Sequence, residues 1–389
     1  MRRSVPGGSL DSAWFGSGCA DAVTTSEPVV YLKGDLAFQF ADRTAPRHQQ
    51  KLTGPTEAAD RHILRQPNQS VGQENLVPLP TDQALLDLSD KILATFTQIF
   101  GEHPGIRPAH GKGTLLNGTF TPRAAAADLS SAQHFQQAAT QVLVRFSDST
   151  GLPNIPDTDP NTLPKGIAVR FILAEHVHTD VIAHSIDGFP TRTGEEFLEF
   201  LGALATSDPA NPAGSPLEAF LGSHPAALRF VQTPKPFPAS FAQESFFGVN
   251  AFKFTNASGS GRFGRYRIIP EAGTAYLNDS EVQSKDGNYL FTEITERVAA
   301  EPVRFTLAVQ LADDGDVVND ATIHWPPDRD VRELGTVELT TPVTDDAEQQ
   351  KHVIFDPIPR LAGIEASDDP VLELRAAVYL ISGRKRRAA

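Results

Sequence analysis

The chain becomes periodic at Asp82. Apolar residues recur at helical spacing through DQALLDLSDKILATFTQIFG and stop at Gly101, which predicts an amphipathic helix. Short β-type runs follow: QVLVRFS (141–147), GIAVRFIL (166–173), TDVIAHS (179–185), GRFGRYRII (261–269) and PVRFTLAVQL (302–311). Strands of this length, separated by Gly, Pro and Asp clusters, predict an antiparallel sheet or barrel. Helical spacing returns in TGEEFLEFLGAL (193–204), PLEAFLGSHPAALRFVQ (216–232), NYLFTEITERVAA (288–300) and the late DPVLELRAAVYLIS. The fold class is therefore α+β, with no internal repeat and no low-complexity tract. Residues 1–80 differ, being rich in Gly, Pro, Gln and charge around one strand-like run, PVVYLKGDLAFQF at Pro28–Phe40. They read as an N-terminal extension or arm, partly irregular, ahead of a core domain over 81–389.

Composition narrows the chemistry. With 389 residues and 40% hydrophobic content the chain can build a full core. A formal charge of −14 argues against a nucleic-acid partner or an anionic membrane surface, since either requires a basic face. No window approaches the ~20 continuous apolar residues of a membrane span, and the two arginines near the start are followed by no apolar stretch of a secretory signal. The expected compartment is the cytoplasm. The single cysteine, Cys19, excludes an internal disulfide framework and a thiolate-rich zinc site, so any metal must be held by His, Tyr or carboxylates.

Several residues stand out. Arg375 precedes Tyr379 by four positions, so on a helix the guanidinium lies against the phenol, a pairing suited to a tyrosinate metal ligand. On its own the pair reads as a stacked surface contact. The stretch IRPAHGKGTLLNGTFTP sets His110 in a glycine-rich turn three residues after Arg107, where small neighbours would let a flat ligand approach the backbone. Strand alternation in VRFSDSTG sends Arg145 and Ser147 to one face and Phe146 to the other. The same alternation separates His184 from Ser185 and makes a Ser/His nucleophile pair a poor reading. GSGRFGRYR reads as a hairpin, because it lacks the lysine and the context of a phosphate loop. No H-E-x-x-H or EF-hand spacing is present.

Taken in order, these pieces resemble the haem catalases, and more closely the short catalase-related peroxidases. RPAHGKG looks like the distal-histidine segment, VRFS and PKGIAVRF the strands after it, DVIAHSIDGFPTRTGEEFLEF the distal-side segment, NAFKFTNASGSGRFGRYR the barrel hairpin, and GIEASDDPVLELRAAVY the proximal-ligand helix. The resemblance covers roughly Asp82 to Arg387. It implies a catalase-like antiparallel β-barrel of about eight strands with surrounding helices and haem b buried beside the barrel. It further implies that His110 is the distal histidine, Ser147 its hydrogen-bond partner, and Tyr379 the proximal iron ligand tuned by Arg375. Arg107, Arg145 and Arg386 fall where the family holds the haem propionates, Phe197 where an aromatic flanks the haem, and Phe146 in the adjoining wall.

Two departures qualify the likeness. His184, followed by Ser185, stands where large catalases carry a distal asparagine, although the AHS form looks normal for the short subfamily. The chain also ends soon after the proximal helix, so the C-terminal helical domain of the large enzymes and its NADPH site are not expected. The implied activity is reduction of hydrogen peroxide and small organic hydroperoxides by an external electron donor, in a homo-oligomer for which a dimer is as plausible as a tetramer. A true catalase, a hydroperoxide isomerase of the allene-oxide-synthase kind and a non-enzymatic haem-binding barrel are the alternatives.

Overall fold

The computed structural model describes residues 80–389, and the Pro28–Phe40 run lies outside them. Ten antiparallel strands form one sheet: β1 Gly113–Pro122, β2 Thr140–Ser147, β3 Gly166–Ala174, β4 Val177–His184, β5 Phe246–Phe247, β6 Phe252–Thr255, β7 Gly261–Pro270, β8 Val303–Leu311, β9 Val331–Pro342 and β10 Ile364–Ala366. Pairing of β7 with β8 closes a ring of eight strands, β1-β2-β3-β4-β5-β7-β8-β9, and leaves β6 and β10 as an annex on β7. Closure removes the sheet edges of the ring. GSGRFGRYR forms the turn into β7 and its first half, paired with β6 as a hairpin.

Period-two alternation sorts the side chains between two environments. Val142, Val144 and Phe146 of β2 point inward with Ile167, Val169 and Phe171 of β3 and Val181 and Ala183 of β4, into a core filled by Phe120, Phe241, Phe246 and Phe305. Each fully buried phenylalanine contributes about 1.5–3 kcal/mol. Residues 143, 145, 147, 166, 168, 182 and 184 therefore face outward. Over them lies a helical layer in which Ile92, Leu93 and Ile99 of the first helix (Gln83–Phe100) pack on Leu201 and on Leu374, Val378 and Ile381 of the last (Pro370–Ala388). Asp82 caps the first helix by accepting from the Ala84 N–H at 2.9 Å, and Gly101 ends it with φ +84°, a positive value that glycine adopts without strain.

Three features depart from the sequence pattern. Strands β1 and β9 were not expected, because Gly, Asn and Pro in GTLLNGTFTP and Gly, Pro and charged residues in VRELGTVELTTP break up their Thr, Val and Phe positions. They are strands because each is paired on both sides. The helix expected over 216–232 is two, Pro216–Ser223 and Pro225–Gln232. Pro225 offers no N–H to continue the first and forces His224 out of helical geometry, so it starts the second. The last helix runs beyond Ser382 through the basic cluster to Ala388.

Candidate active site

The outer face of β1–β4 presents two rows. Gly113, Ser147, Gly166 and His184 stand opposite one another in neighbouring strands, and Leu115, Arg145, Ala168 and Ile182 form the next row. Between this face and the helical layer lies a cavity with roughly 1320 Å³ of space free of protein atoms, mouth included. Its walls are mainly apolar, from Ile92, Phe96, Phe189, Phe197, Leu374 and Val378, and its polar groups gather at three places.

The first is above the barrel face. His110 sits just before β1 with φ +55°, a left-handed conformation that turns its ring back over the sheet. Its Nδ1 lies 3.0 Å from Ser147 Oγ, while its N–H donates to Ser149 O at 3.1 Å. Gly166 gives the ring its room, for a Cβ there would lie 2.8 Å from Ser147 Oγ and 2.9 Å from His110 Nδ1. Gly166→Ala is thus expected to keep the circular-dichroism spectrum but to lower peroxide turnover roughly 10- to 10²-fold by displacing the imidazole. His184 lines the cavity beside it, and its Nδ1 accepts from the Ile186 N–H at 3.4 Å.

Both rings line the cavity. Burial, then the positive charges of Arg145 and Arg375, pushes His110 down to about 4. Burial, then Arg375 and His110, pushes His184 to about 3. Both are neutral at pH 7. A base is lost when it protonates, so activity that depends on neutral His110 should hold as pH falls through 6.5 and disappear near pH 4. The pH profile of kcat/KM reads this directly.

The second polar place is on the last helix. Arg375 Nε donates to Tyr379 Oη at 3.3 Å, with its guanidinium carbon 5.6 Å from the ring centre. Arg375 also donates to Asn250 Oδ1, and Asn250 Nδ2 donates to Asp369 Oδ2 at 2.8 Å. Asp369 Oδ1 accepts from the Val371 N–H at 3.0 Å as the helix cap, so the arginine is braced from the start of its own helix.

The third is a cluster of cations. Arg107 donates to Gln350 O at 3.1 Å and Val353 O at 2.9 Å, and Arg386 to Lys351 O at 3.1 Å and Val353 O at 2.6 Å. Arg145 donates to Gln350 Oε1 at 2.7 Å and His110 O at 2.8 Å. None of the three has a carboxylate at ion-pair distance among the described residues, whereas Arg170 close by is forked onto Asp180 at 2.9 and 2.8 Å. Burial and then the Arg386 charge push Arg145 down to about 9, burial and then Arg387 push Arg386 to about 10, and burial and then Arg145 hold Arg107 well below its ordinary value. Three guanidinium groups held this way favour an anionic ligand.

A family model described as Catalase matches residues 80–389. The chain belongs to the catalase family. It is 37% identical over 289 residues to the catalase-related peroxidase of Mycolicibacterium paratuberculosis, a match spanning 74% of this chain and 90% of that one. To the catalase-related peroxidase of Synechococcus elongatus it is 32% identical over 302 residues, 76% of this chain and 88% of the relative. A fungal catalase crystal structure superposes with a TM-score of 0.64 at 24% identity over 83% of this chain and 66% of that chain, and catalase A from Saccharomyces cerevisiae with 0.65 at 22% over 83% and 68%. These structures share the barrel with its helices. Family membership makes the chain an oxidoreductase acting on peroxide.

In this catalase-family protein the structure gathers His110, Ser147, His184, Arg107, Arg145, Phe197, Arg375, Tyr379 and Arg386 around one cavity. Phe146 stands apart. Its ring stacks on Phe241 at 5.0 Å in the barrel interior and does not line the cavity, because β2 alternation points it away from Arg145 and Ser147. Phe189, Phe355 and Phe96 supply the aromatic walls that were not singled out. Asn250, Gln350 and Gly166 were also missed. Only the glycine carried a signal, as the small residue between two site-bearing strands. Among the described residues no group of three or more His, Cys, Asp or Glu forms a metal site, and no helix is long and apolar enough to cross a membrane.

The haem implied by the resemblance fits these residues. An apolar cavity suits a flat macrocycle, guanidinium groups with no carboxylate partner among the described residues suit its carboxylates, and a phenol oxygen that among those residues accepts only from Arg375 suits an iron.

Proposed function

We propose that the chain is a haem-dependent peroxidase that reduces hydrogen peroxide and organic hydroperoxides with electrons from an external donor, with haem b as its cofactor. The observation that carries this reading is the sorting of polar groups in one apolar cavity: neutral histidines on the barrel face, an arginine-braced tyrosine on the last helix, and unpaired guanidinium groups to one side. Tyr379 would hold the iron, Arg107, Arg145 and Arg386 the propionates, and Phe197 would lie against the ring. When bound, the haem supplies the electrons that cleave the peroxide O–O bond.

The protein's own residues manage protons and position. With Nδ1–H of His110 donating to Ser147 Oγ, the unprotonated nitrogen is Nε2, which takes the proton from the incoming peroxide oxygen and returns it to the leaving oxygen. His184 is poised in the opposite sense. Its Nδ1 accepts from the Ile186 backbone, so Nε2 carries the hydrogen and can donate to a bound peroxide. Arg375 faces the Tyr379 oxygen with positive charge, and the apolar walls exclude water that would compete for His110.

Two measurements test the reading. Protein purified after haem supplementation should show the Soret band of bound haem, and its absence would remove the proposal. Oxygen release and donor oxidation should then be compared with hydrogen peroxide and an alkyl hydroperoxide. Donor oxidation with both substrates is expected, rapid oxygen release without donor would identify a true catalase, and rearrangement of the hydroperoxide without donor an isomerase.

A further inference from the structure

A polar cluster lies behind the histidines, outside the cavity. Residues 110–112 and 148–150 run side by side as an irregular continuation of β1 and β2. The Asp148 N–H donates to Lys112 O at 3.2 Å, the His110 N–H to Ser149 O at 3.1 Å and the Gly111 N–H to Thr150 O at 2.7 Å. At their base Lys165 Nζ donates to Asp148 Oδ1 at 2.6 Å and to Thr162 Oγ1 at 2.7 Å. Both charged side chains have 0% exposure, and Asp148 Oδ2 has no hydrogen-bond partner among the described residues.

Such a pair is weakly explained by stability, because desolvating two ions offsets most of their attraction and apolar residues of similar volume often serve as well. Its place in the fold is more informative. Asp148 directly follows Ser147, and Lys165 directly precedes Gly166, the two residues that meet the His110 ring. The Lys165 backbone also binds Ser185 twice, its N–H donating to the Ser185 side-chain Oγ at 3.0 Å and its carbonyl accepting from the Ser185 N–H at 2.9 Å. Ser185 directly follows His184. The ion pair thus ties the end of β2 to the start of β3, and the Lys165 backbone joins both to the end of β4 beneath the two histidines.

We propose that Asp148 and Lys165 are positioning residues that set His110 and His184 in register over the cavity. This rests on the reading of His110 as the proton-transferring base. Removing the pair should leave the fold intact and lose the alignment.

The test uses the full-length, haem-loaded chain carrying Asp148→Leu with Lys165→Met, which removes both charges while keeping side-chain bulk. Melting temperature should stay within a few degrees of the parent. Amide exchange at His110 and Gly111, read by mass spectrometry, should accelerate about 10-fold or more as their acceptors loosen. Peroxide turnover should show kcat lower by about 10-fold or more with KM within about 2-fold. Parental exchange and parental kcat in a stable double variant would overturn the proposal. Accelerated exchange with parental kcat would support the positioning and instead refute His110 as the base, so the two failures are distinguishable. If the double variant does not fold, Asp148→Asn with Lys165→Met, which keeps the shape and leaves no unpaired buried charge, carries the same comparison with the same two outcomes.

Discussion

Tyr379→Phe is expected to reduce peroxide turnover roughly 10³-fold or more, equivalent to ~4 kcal/mol of lost transition-state stabilisation, and to weaken or abolish the Soret band. The substitution removes one oxygen, and that oxygen is the atom proposed to bind iron. Among the described residues its hydrogen bond is the 3.3 Å one from Arg375 Nε, so no other hydrogen bond among them is broken. The ring packs with the apolar layer formed by the first helix, the helix Gly194–Thr206 and the last helix, and phenylalanine preserves that packing. The apoprotein should therefore melt within a few degrees of the parent. Haem titration followed by absorbance and steady-state turnover separate the outcomes: full haem affinity with full activity would mean that Tyr379 is not the ligand.

His110→Asn is expected to lower turnover by about 10²–10⁴-fold while haem retention stays near parental. Asparagine is the informative replacement because position 110 has φ +55°, a conformation that asparagine tolerates better than alanine. The backbone bonds from residues 110 and 111 to Ser149 and Thr150 can then persist. His110 donates none of the proposed propionate contacts, which come from Arg107, Arg145 and Arg386, so the haem should remain. The acid limb near pH 4 attributed to His110 should also vanish from the residual activity. Turnover unchanged in kcat, with that limb in place, would assign the proton transfer to another group, with His184 lining the same cavity.

Much of the site was readable because it rests on local rules. Alternation in VRFS put Arg145 and Ser147 on one face, where both line the cavity, and the same rule contradicted the assignment of Phe146 to the haem wall, since its ring fills the barrel. Helical spacing paired Arg375 with Tyr379, and they meet. Contacts that depend on distant segments were not readable. Asn250 reaches Arg375 across 125 positions and Gln350 reaches Arg145 across 205, and neither carries a motif.

By itself the sequence determined the α+β class, most helices, five of the ring strands and the order of the site segments, because periodicity, turn residues and helix caps act over a few residues. Tertiary structure alone decided that GTLLNGTFTP and VRELGTVELTTP are strands, since neighbours on both sides supply the hydrogen bonds that carry each through its interior glycine. It also decided that His110, His184, Tyr379 and three arginines share one cavity. That convergence follows from closing the ring between β7 and β8 and laying the last helix over its outer face, a placement set by burial of apolar surface between segments hundreds of residues apart.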